Sequence, residues 1–332
     1  MTPGGIGSMD VLYLLAGIAA ALGGAQLLVG GGVALAGRLG IPTLVVGAVI
    51  VGFGTSTPEL AVNVSSALDG KTDLALGNVL GSNLFNVCLI LGIVALISPM
   101  HVSADTQGKD LPMCALSALM VGIAGNQLYL DRIESHQLSV SHGLTFLLFF
   151  YLFTRFIWIE ASSGKGHQEQ AQPHYEQDEG ERMSLSGAIL RVAAGLGLLV
   201  AGGEFIVEGA SGIARSFGVS ERLIGLLIVG PGTSVPELVA SLVAALKKQA
   251  DMVIGNVLGS NTFNVFFTLG VTALIEPVPL DLALNQAVAI NAGVTLFLAL
   301  LAWRSRRKVF SRGVGIVACG AYVVYVALTL AG

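Results

Sequence analysis

The 332-residue chain is 54% hydrophobic and only 11% charged, with a mean hydropathy of +0.79. Soluble domains carry roughly 25% charged residues, so an all-α polytopic membrane protein in a lipid bilayer is expected and a soluble domain is excluded. The net charge of −4 is small and no basic face or aromatic–basic module appears, which excludes a nucleic-acid partner.

A spanning helix needs about 20 apolar residues. On that basis the sequence predicts about ten transmembrane helices, at residues 11–37, 41–68, 73–97, 111–127, 137–159, 184–214, 220–246, 251–275, 279–303 and 309–331. The opening MTPGGIGSMD has no Lys or Arg, and the apolar run after it is too long for a signal-peptide core, so it reads as a retained first span. The fourth span is short. The second and seventh are long and interrupted by Gly and Pro. Cys88, Cys114 and Cys319 all fall in apolar runs at spacings that match no metal motif, and read as small buried hydrophobes.

Residues 160–183 are the one sizeable polar stretch. They are acidic, poor in apolar residues, and divide the spans five and five, as a linker would. His167 and His174 within it read as solvated rather than metal-binding. With the N-terminus outside, twelve Lys and Arg fall on inside loops and four on outside loops. The positive-inside rule therefore puts both termini outside and the linker in the cytoplasm. An odd number of spans per half makes the second half enter the membrane opposite to the first, an inverted repeat. The expected organisation is a first half at 11–159, the linker at 160–183 and a second half at 184–331.

A direct repeat underlies this division. GFGTSTPEL at 52–60 and GNVLGSNLFNV at 77–87 return as GPGTSVPEL at 230–238 and GNVLGSNTFNV at 255–265. Aligned without gaps, residues 46–97 and 224–275 share 28 of 52 positions, every pair 178 residues apart. The loops inside the repeats read DGKTD at 69–73 and KKQAD at 247–251, so the second has gained the basic residues that an inside position demands. The match fades into the preceding spans. There Gln26 aligns with Glu204 and Gly30 with Glu208. Two readings of these Glu stay open, an entrance that attracts cations and ordinary interfacial anchoring.

Each repeat carries one carboxylate, Glu59 or Glu237, inside an apolar run, where a charge is expensive and marks function by default. Pro58 and Pro236 lack an N–H and clash with the carbonyl four residues back, at Gly54 and Gly232. The helix is expected to break just before each Glu. Carbonyls freed at that depth are tolerated only against protein or a cavity, and a bound cation would satisfy them. Thr55, Ser56, Thr233 and Ser234 add hydroxyls beside the breaks. Ser82 and Asn86, with Ser260 and Asn264, are four residues apart on one helical face and are candidate ligands. Asn78, Asn83, Asn256 and Asn261 read equally as ligands or as packing support. Oxygen-only ligands select hard cations. No resident cofactor is expected.

The two motifs resemble the α-repeats of the Ca2+/cation antiporter superfamily, sodium/calcium exchanger type. The resemblance implies an inverted-repeat antiporter with Ca2+ and Na+ bound as substrates, in the plasma (inner) membrane of a prokaryote. It implies that Glu59 and Glu237 serve both ions and that Thr55 and Thr233 give backbone carbonyls to Ca2+. Ser56, Ser82, Ser234 and Ser260 would serve flanking Na+ sites, with carbonyls near Gly52 and Gly230, and Asn86 and Asn264 would complete the centre. Spans one and six would form a moving pair. Some members carry Asp where this chain has Asn264, so the centre is less acidic, which argues against K+ dependence. The linker is too short for the Ca2+-sensing domains of animal exchangers. Since every proposed side-chain ligand is duplicated, the site is expected to be nearly symmetric.

Three other classes compete. An H+-coupled Ca2+ or Mn2+ exchanger is second, because such members place acidic residues where Val follows Asn78 and Asn256 here. A cation channel would need a continuous pore. An enzyme is not expected: two carboxylates can serve as acid and base, but no nucleophile–base set or HExxH motif accompanies them.

Overall fold

The computed structural model describes residues 7–103, 106–126, 137–162, 183–280, 282–304 and 309–331. In chain order, α1 is Ser8–Leu39. The next span is a bent pair, α2 (Thr43–Thr55) and α3 (Thr57–Leu68), angled by 42° at Ser56. Then come α4 (Thr72–Ile97), β1 (Met100–His101), α5 (Leu111–Gly125), β2 (Gln137–Leu138) and α6 (Val140–Ser162). The later half repeats the order: α7 (Leu185–Ser216), α8 (residues 221–232), α9 (Val235–Leu246), α10 (Ala250–Ile275), β3 (Val278–Pro279), α11 (Leu282–Arg304), β4 (Val309–Phe310) and α12 (Arg312–Ala331).

Among the described residues, seven helices are long and apolar enough to cross a membrane, and the bent pair makes an eighth. The protein is an all-α integral membrane protein. The two remaining expected spans fall on shorter helices. A five-residue π turn, Thr106–Asp110, leads into the fifteen residues of α5. α8 and α9 are separated at Thr233 and Ser234. Most of the linker, including His167 and His174, lies outside the described residues.

The breaks fall where the sequence chemistry puts them. Pro58 and Pro236 occupy the first turn of α3 and α9, where a missing N–H costs nothing. The residues ahead cannot continue the helix, and Ser56 and Ser234 turn to ψ of 8° and 6°. π-helical turns precede both breaks, at Val46–Gly52 and Gly225–Val229. They recur in α4 and α10 at Phe85–Ile90 and Asn264–Leu269.

The centre belongs to the two GNVLGSN helices. Over a span-length stretch of 18 residues, α4 has 72% of its residues buried and α10 78%, against 11–28% for the other long helices. The outer helices turn leucines and aromatics outward, such as Leu144, Leu148, Tyr151 and Trp158 on α6. An apolar exterior of this kind belongs against lipid. Two short antiparallel ladders join the halves. β1 pairs with β4 and β2 with β3, burying Met100 opposite Phe310 and Leu138 opposite Val278.

α1 and α7 pack antiparallel and close. Gly17, Gly24 and Gly31 on α1, and Gly195, Gly202 and Gly209 on α7, repeat every seven residues and so line one face. A Cβ on Gly24 would stand 2.6 Å from the Leu199 backbone nitrogen, and one on Gly202 2.5 Å from that of Ala21. Small residues let backbones approach this closely in lipid.

One loop shows the repeat geometry overriding residue preference. Gly70 adopts φ 71°, and its counterpart 178 residues on, Lys248, adopts φ 59°. The left-handed conformation costs a non-glycine residue about 1–2 kcal/mol.

A Gly202→Val variant forces side-chain atoms into backbone that cannot yield, and is expected to lower stability by about 1–3 kcal/mol or more. Gly197→Val on the same helix, where a Cβ would meet nothing within 4 Å, is expected to be tolerated. Thermal unfolding of both variants in detergent checks the contrast.

Candidate cation site

The two breaks bring Glu59 and Glu237 into one buried cluster, each residue 0% exposed. Each carboxylate is gripped from the opposite repeat. Ser56 Oγ donates to Glu237 Oε1 at 2.9 Å, and Ser234 Oγ donates to Glu59 Oε1 at 3.1 Å. The two bonds are counterparts at the 178-residue offset. Ser82 Oγ also donates to Glu59 Oε1, at 3.4 Å, and lies 3.5 Å from Thr233 Oγ1. Ser260 takes a different partner, donating to the Gly52 carbonyl at 3.1 Å. Thr55 Oγ1 is occupied by the Val51 carbonyl at 2.9 Å and lies 3.3 Å from that of Gly52.

The asparagines form a reciprocal ring. Asn83 Nδ2 donates to the Asn261 carbonyl at 3.4 Å, and Asn261 Nδ2 to the Asn83 carbonyl at 3.0 Å. A carbonyl only accepts, so these contacts fix which amide atom is which. The remaining Oδ1 atoms of Asn83 and Asn261 are acceptors, so they must be met by donors. Asn264 Nδ2 meets the first at 3.1 Å and Asn86 Nδ2 the second at 3.0 Å. With Nδ2 directed at these acceptors, Asn86 and Asn264 are left with Oδ1 unpartnered among the described residues.

Those oxygens are left over. Seven buried side-chain polar atoms have no hydrogen-bond partner among the described residues, and four of them are Glu59 Oε2, Glu237 Oε2, Asn86 Oδ1 and Asn264 Oδ1. They form two repeat-related pairs. Buried unpaired oxygens are costly and call for an explanation. Among the described residues neither carboxylate has a Lys, Arg or His partner. Taking an ion out of water costs several kcal/mol unless it is compensated. A cation coordinated by these oxygens would remove both costs.

The supporting polar residues are now distinguishable. Asn256 Nδ2 donates to Ser241 Oγ at 2.8 Å and to the Glu237 carbonyl at 3.3 Å. Asn78 Nδ2 donates to Asn63 Oδ1 at 2.8 Å. These bonds tie α3 to α4 and α9 to α10. Asn63 and Ser241 were not singled out in the sequence. The signal was there, since each sits four residues after its Glu on an apolar helix.

The expected near-symmetry needs correction. It describes part of the hydrogen bonding, but not the packing. Gly259 of α10 lies against the first broken span so tightly that a Cβ would stand 2.5 Å from the Ala48 carbonyl oxygen. Its counterpart Gly81 on α4 has nothing within 4 Å. Gly52 and Thr55 are buried, whereas Gly230 is exposed and Thr233 half-buried. On that open side a cavity of about 480 Å³ runs between α7 and the later break. Pro58, Thr233 and Pro236 line its inner end, so it reaches the residues next to both Glu. The structure thus gathers the Glu, Ser and Asn candidates with Thr55 and Gly52. Gly230 and Thr233 do not share the burial of their counterparts Gly52 and Thr55.

Comparison with known proteins agrees with this architecture. The sequence pattern of the sodium/calcium exchanger protein family matches residues 9–159 and 187–331. The chain is 33% identical to the inner membrane protein YrbG of Escherichia coli, over 87% of each chain. It is 28% identical to the sodium/calcium exchanger MaX1 of Methanosarcina acetivorans, covering 90% of this chain and 94% of that one. A solved structure of the sodium-calcium exchanger NCX_Mj, soaked with Na+ and Sr2+, superposes with a TM-score of 0.81 at 27% identity, covering 96% of this chain and 98% of that one.

Replacing Glu59 or Glu237 singly by Gln is expected to weaken divalent-cation binding by about 2 kcal/mol or more, the loss typical of one partner of a buried charged pair. Asn83→Ala frees the Asn264 amide to turn, and a loss of roughly 10–100-fold in affinity is expected, as for other residues that orient a metal ligand. Binding isotherms of Ca2+ on the purified chain test both; unchanged affinity in Asn83→Ala would show that the asparagine ring does not orient a ligand.

Proposed function

The chain belongs to the sodium/calcium exchanger family, and from that premise we propose that it exchanges Na+ for Ca2+ by alternating access at Glu59 and Glu237. It is a membrane transporter, not an enzyme. The observation that carries the reading is the set of four unpartnered buried oxygens, two carboxylate and two amide, in repeat-related pairs. Ca2+ takes roughly 6–8 oxygen ligands in flexible geometry. Two carboxylates neutralise one such ion.

In this reading, Glu59 and Glu237 bind either ion, and Asn86 and Asn264 complete the centre. Thr55 and Thr233 contribute backbone carbonyls to Ca2+. Ser56, Ser82, Ser234 and Ser260, with carbonyls near Gly52 and Gly230, hold flanking Na+. The ten spans form two inverted halves, 11–159 and 184–331, in a prokaryotic plasma membrane. Both termini lie outside and the linker 160–183 in the cytoplasm.

The packing difference supports alternating access. Near-identical segments adopt a closed arrangement around Gly259 and an open one around Gly81. If the two exchange arrangements, the cavity closes on one side and opens on the other. The pair α1 and α7, locked together through its glycines, is the element proposed to move. Gly54 and Gly232 face it closely, with Leu196 and Val207 of α7 against them.

The test is uptake of labelled Ca2+ into Na+-loaded proteoliposomes placed in Na+-free medium. Uptake that follows the Na+ gradient, and vanishes in the Glu59→Gln, Glu237→Gln double variant, is the expected outcome. Uptake driven by a proton gradient alone would replace Na+ coupling with H+ coupling, and full uptake by the double variant would remove the mechanism.

A further inference from the structure

The wall of the cavity carries chemistry that the central site does not use. α7 lines it with Glu204, Glu208 and Ser211. Their spacing of four and then three residues makes one stripe along a helix face. Both Glu are exposed on that wall. An ionisable group within a membrane span is tolerated where it faces a water-filled cavity.

Ser211 supplies a second, separate observation. It is only 3% exposed, it lines the same cavity, and its Oγ has no hydrogen-bond partner among the described residues. A serine inside a helix commonly donates back to the carbonyl four residues earlier. This one does not: its oxygen is buried and unpaired at the end of the acidic stripe, where the helix lines the cavity. Arg215, a turn beyond, also lines the cavity. The wall therefore holds two carboxylates and one guanidinium.

The acidity belongs to one mouth. The counterparts of Glu204 and Glu208 on α1 are Gln26 and Gly30. Lys247 Nζ lies 3.9 Å from where a Cβ on Gly30 would stand. The cavity, at about 480 Å³, has room for an ion with its hydration shell, since each water occupies about 30 Å³.

We propose that Glu204, Glu208 and Ser211 form an antechamber that binds a hydrated hard divalent cation at the cavity mouth before it reaches Glu59 and Glu237. Its role in transport rests on the antiport reading; its binding does not. The experiment separates the two. The purified full-length chain carrying Glu59→Gln and Glu237→Gln is titrated with Mn2+ alone, with free Mn2+ read from its EPR signal. One weak site is expected. Adding Glu204→Gln and Glu208→Gln should abolish it, and Glu204→Asp with Glu208→Asp should keep it. Ser211→Ala should weaken it several-fold, and it serves where the quadruple variant is not monodisperse. In the chain with its central carboxylates intact, the Gln pair should raise the Ca2+ concentration for half-maximal uptake from the cavity side about tenfold, the lower end of what a charged cleft achieves by focusing. The value from the opposite side should stay where it was. Mn2+ binding that survives the Gln pair, or no Mn2+ binding in the starting background, overturns the antechamber whatever ion drives transport. Binding lost as expected, in a chain that moves no Ca2+, supports the antechamber and overturns the antiport reading.

Discussion

Two carboxylates are buried near each other in an apolar molecule, and among the described residues no side chain of opposite charge touches either one. That arrangement is unfavourable for the protein alone. Desolvation acts on each charge and the two repel each other. Much of the surrounding architecture can be understood as making the arrangement tolerable without neutralising it. Serines reach across from the opposite repeat to one oxygen of each carboxylate. Each asparagine of the ring turns its Nδ2 to another asparagine, and the Oδ1 atoms of Asn86 and Asn264 are left without a donor among the described residues. A lysine or an arginine would have solved the electrostatic problem permanently. Neutral donors leave it open to a mobile cation.

The same cluster shows how one sequence motif can sit in two environments. Gly255 and Gly259 of α10 press into the backbone of the first broken span, while their counterparts on α4 are loosely packed, Gly77 meeting only a Leu284 methyl at 4.0 Å and Gly81 nothing within 4 Å. Glycine makes both states available, because the closed one requires the absence of a Cβ and the open one does not forbid it. A larger residue at Gly259 would clash with Ala48 in the arrangement seen here. At Gly81 it would be accommodated here and clash only in the reversed arrangement.

Much of this was legible in the chain. Composition and long apolar runs gave the all-α membrane class. Pro58 and Pro236 located the breaks, because a missing N–H and a ring clash act locally and need no tertiary context. The repeat identified Glu59 and Glu237 as a pair. Roles that depend on who faces whom were not legible. Asn83 and Asn86 are chemically alike, and only the partner across the interface shows that one orients and the other presents an oxygen. The shared GNVLGSN motif also concealed the packing asymmetry, since a sequence repeat cannot record that its two copies pack differently. The two strand ladders were missed as well. Each strand is two residues long, too short for any periodic pattern to register.

The ladders have a consequence for what counts as a unit. Each is made from one strand of each half, β1 with β4 and β2 with β3. Each Glu takes a hydrogen bond from the other half as well. Neither half is therefore complete in itself: taken alone, it would expose a strand edge and a carboxylate without its serine. The two halves interlock like clasped hands rather than meeting as finished domains. A chain of half this length could satisfy the same contacts by pairing with a second copy of itself.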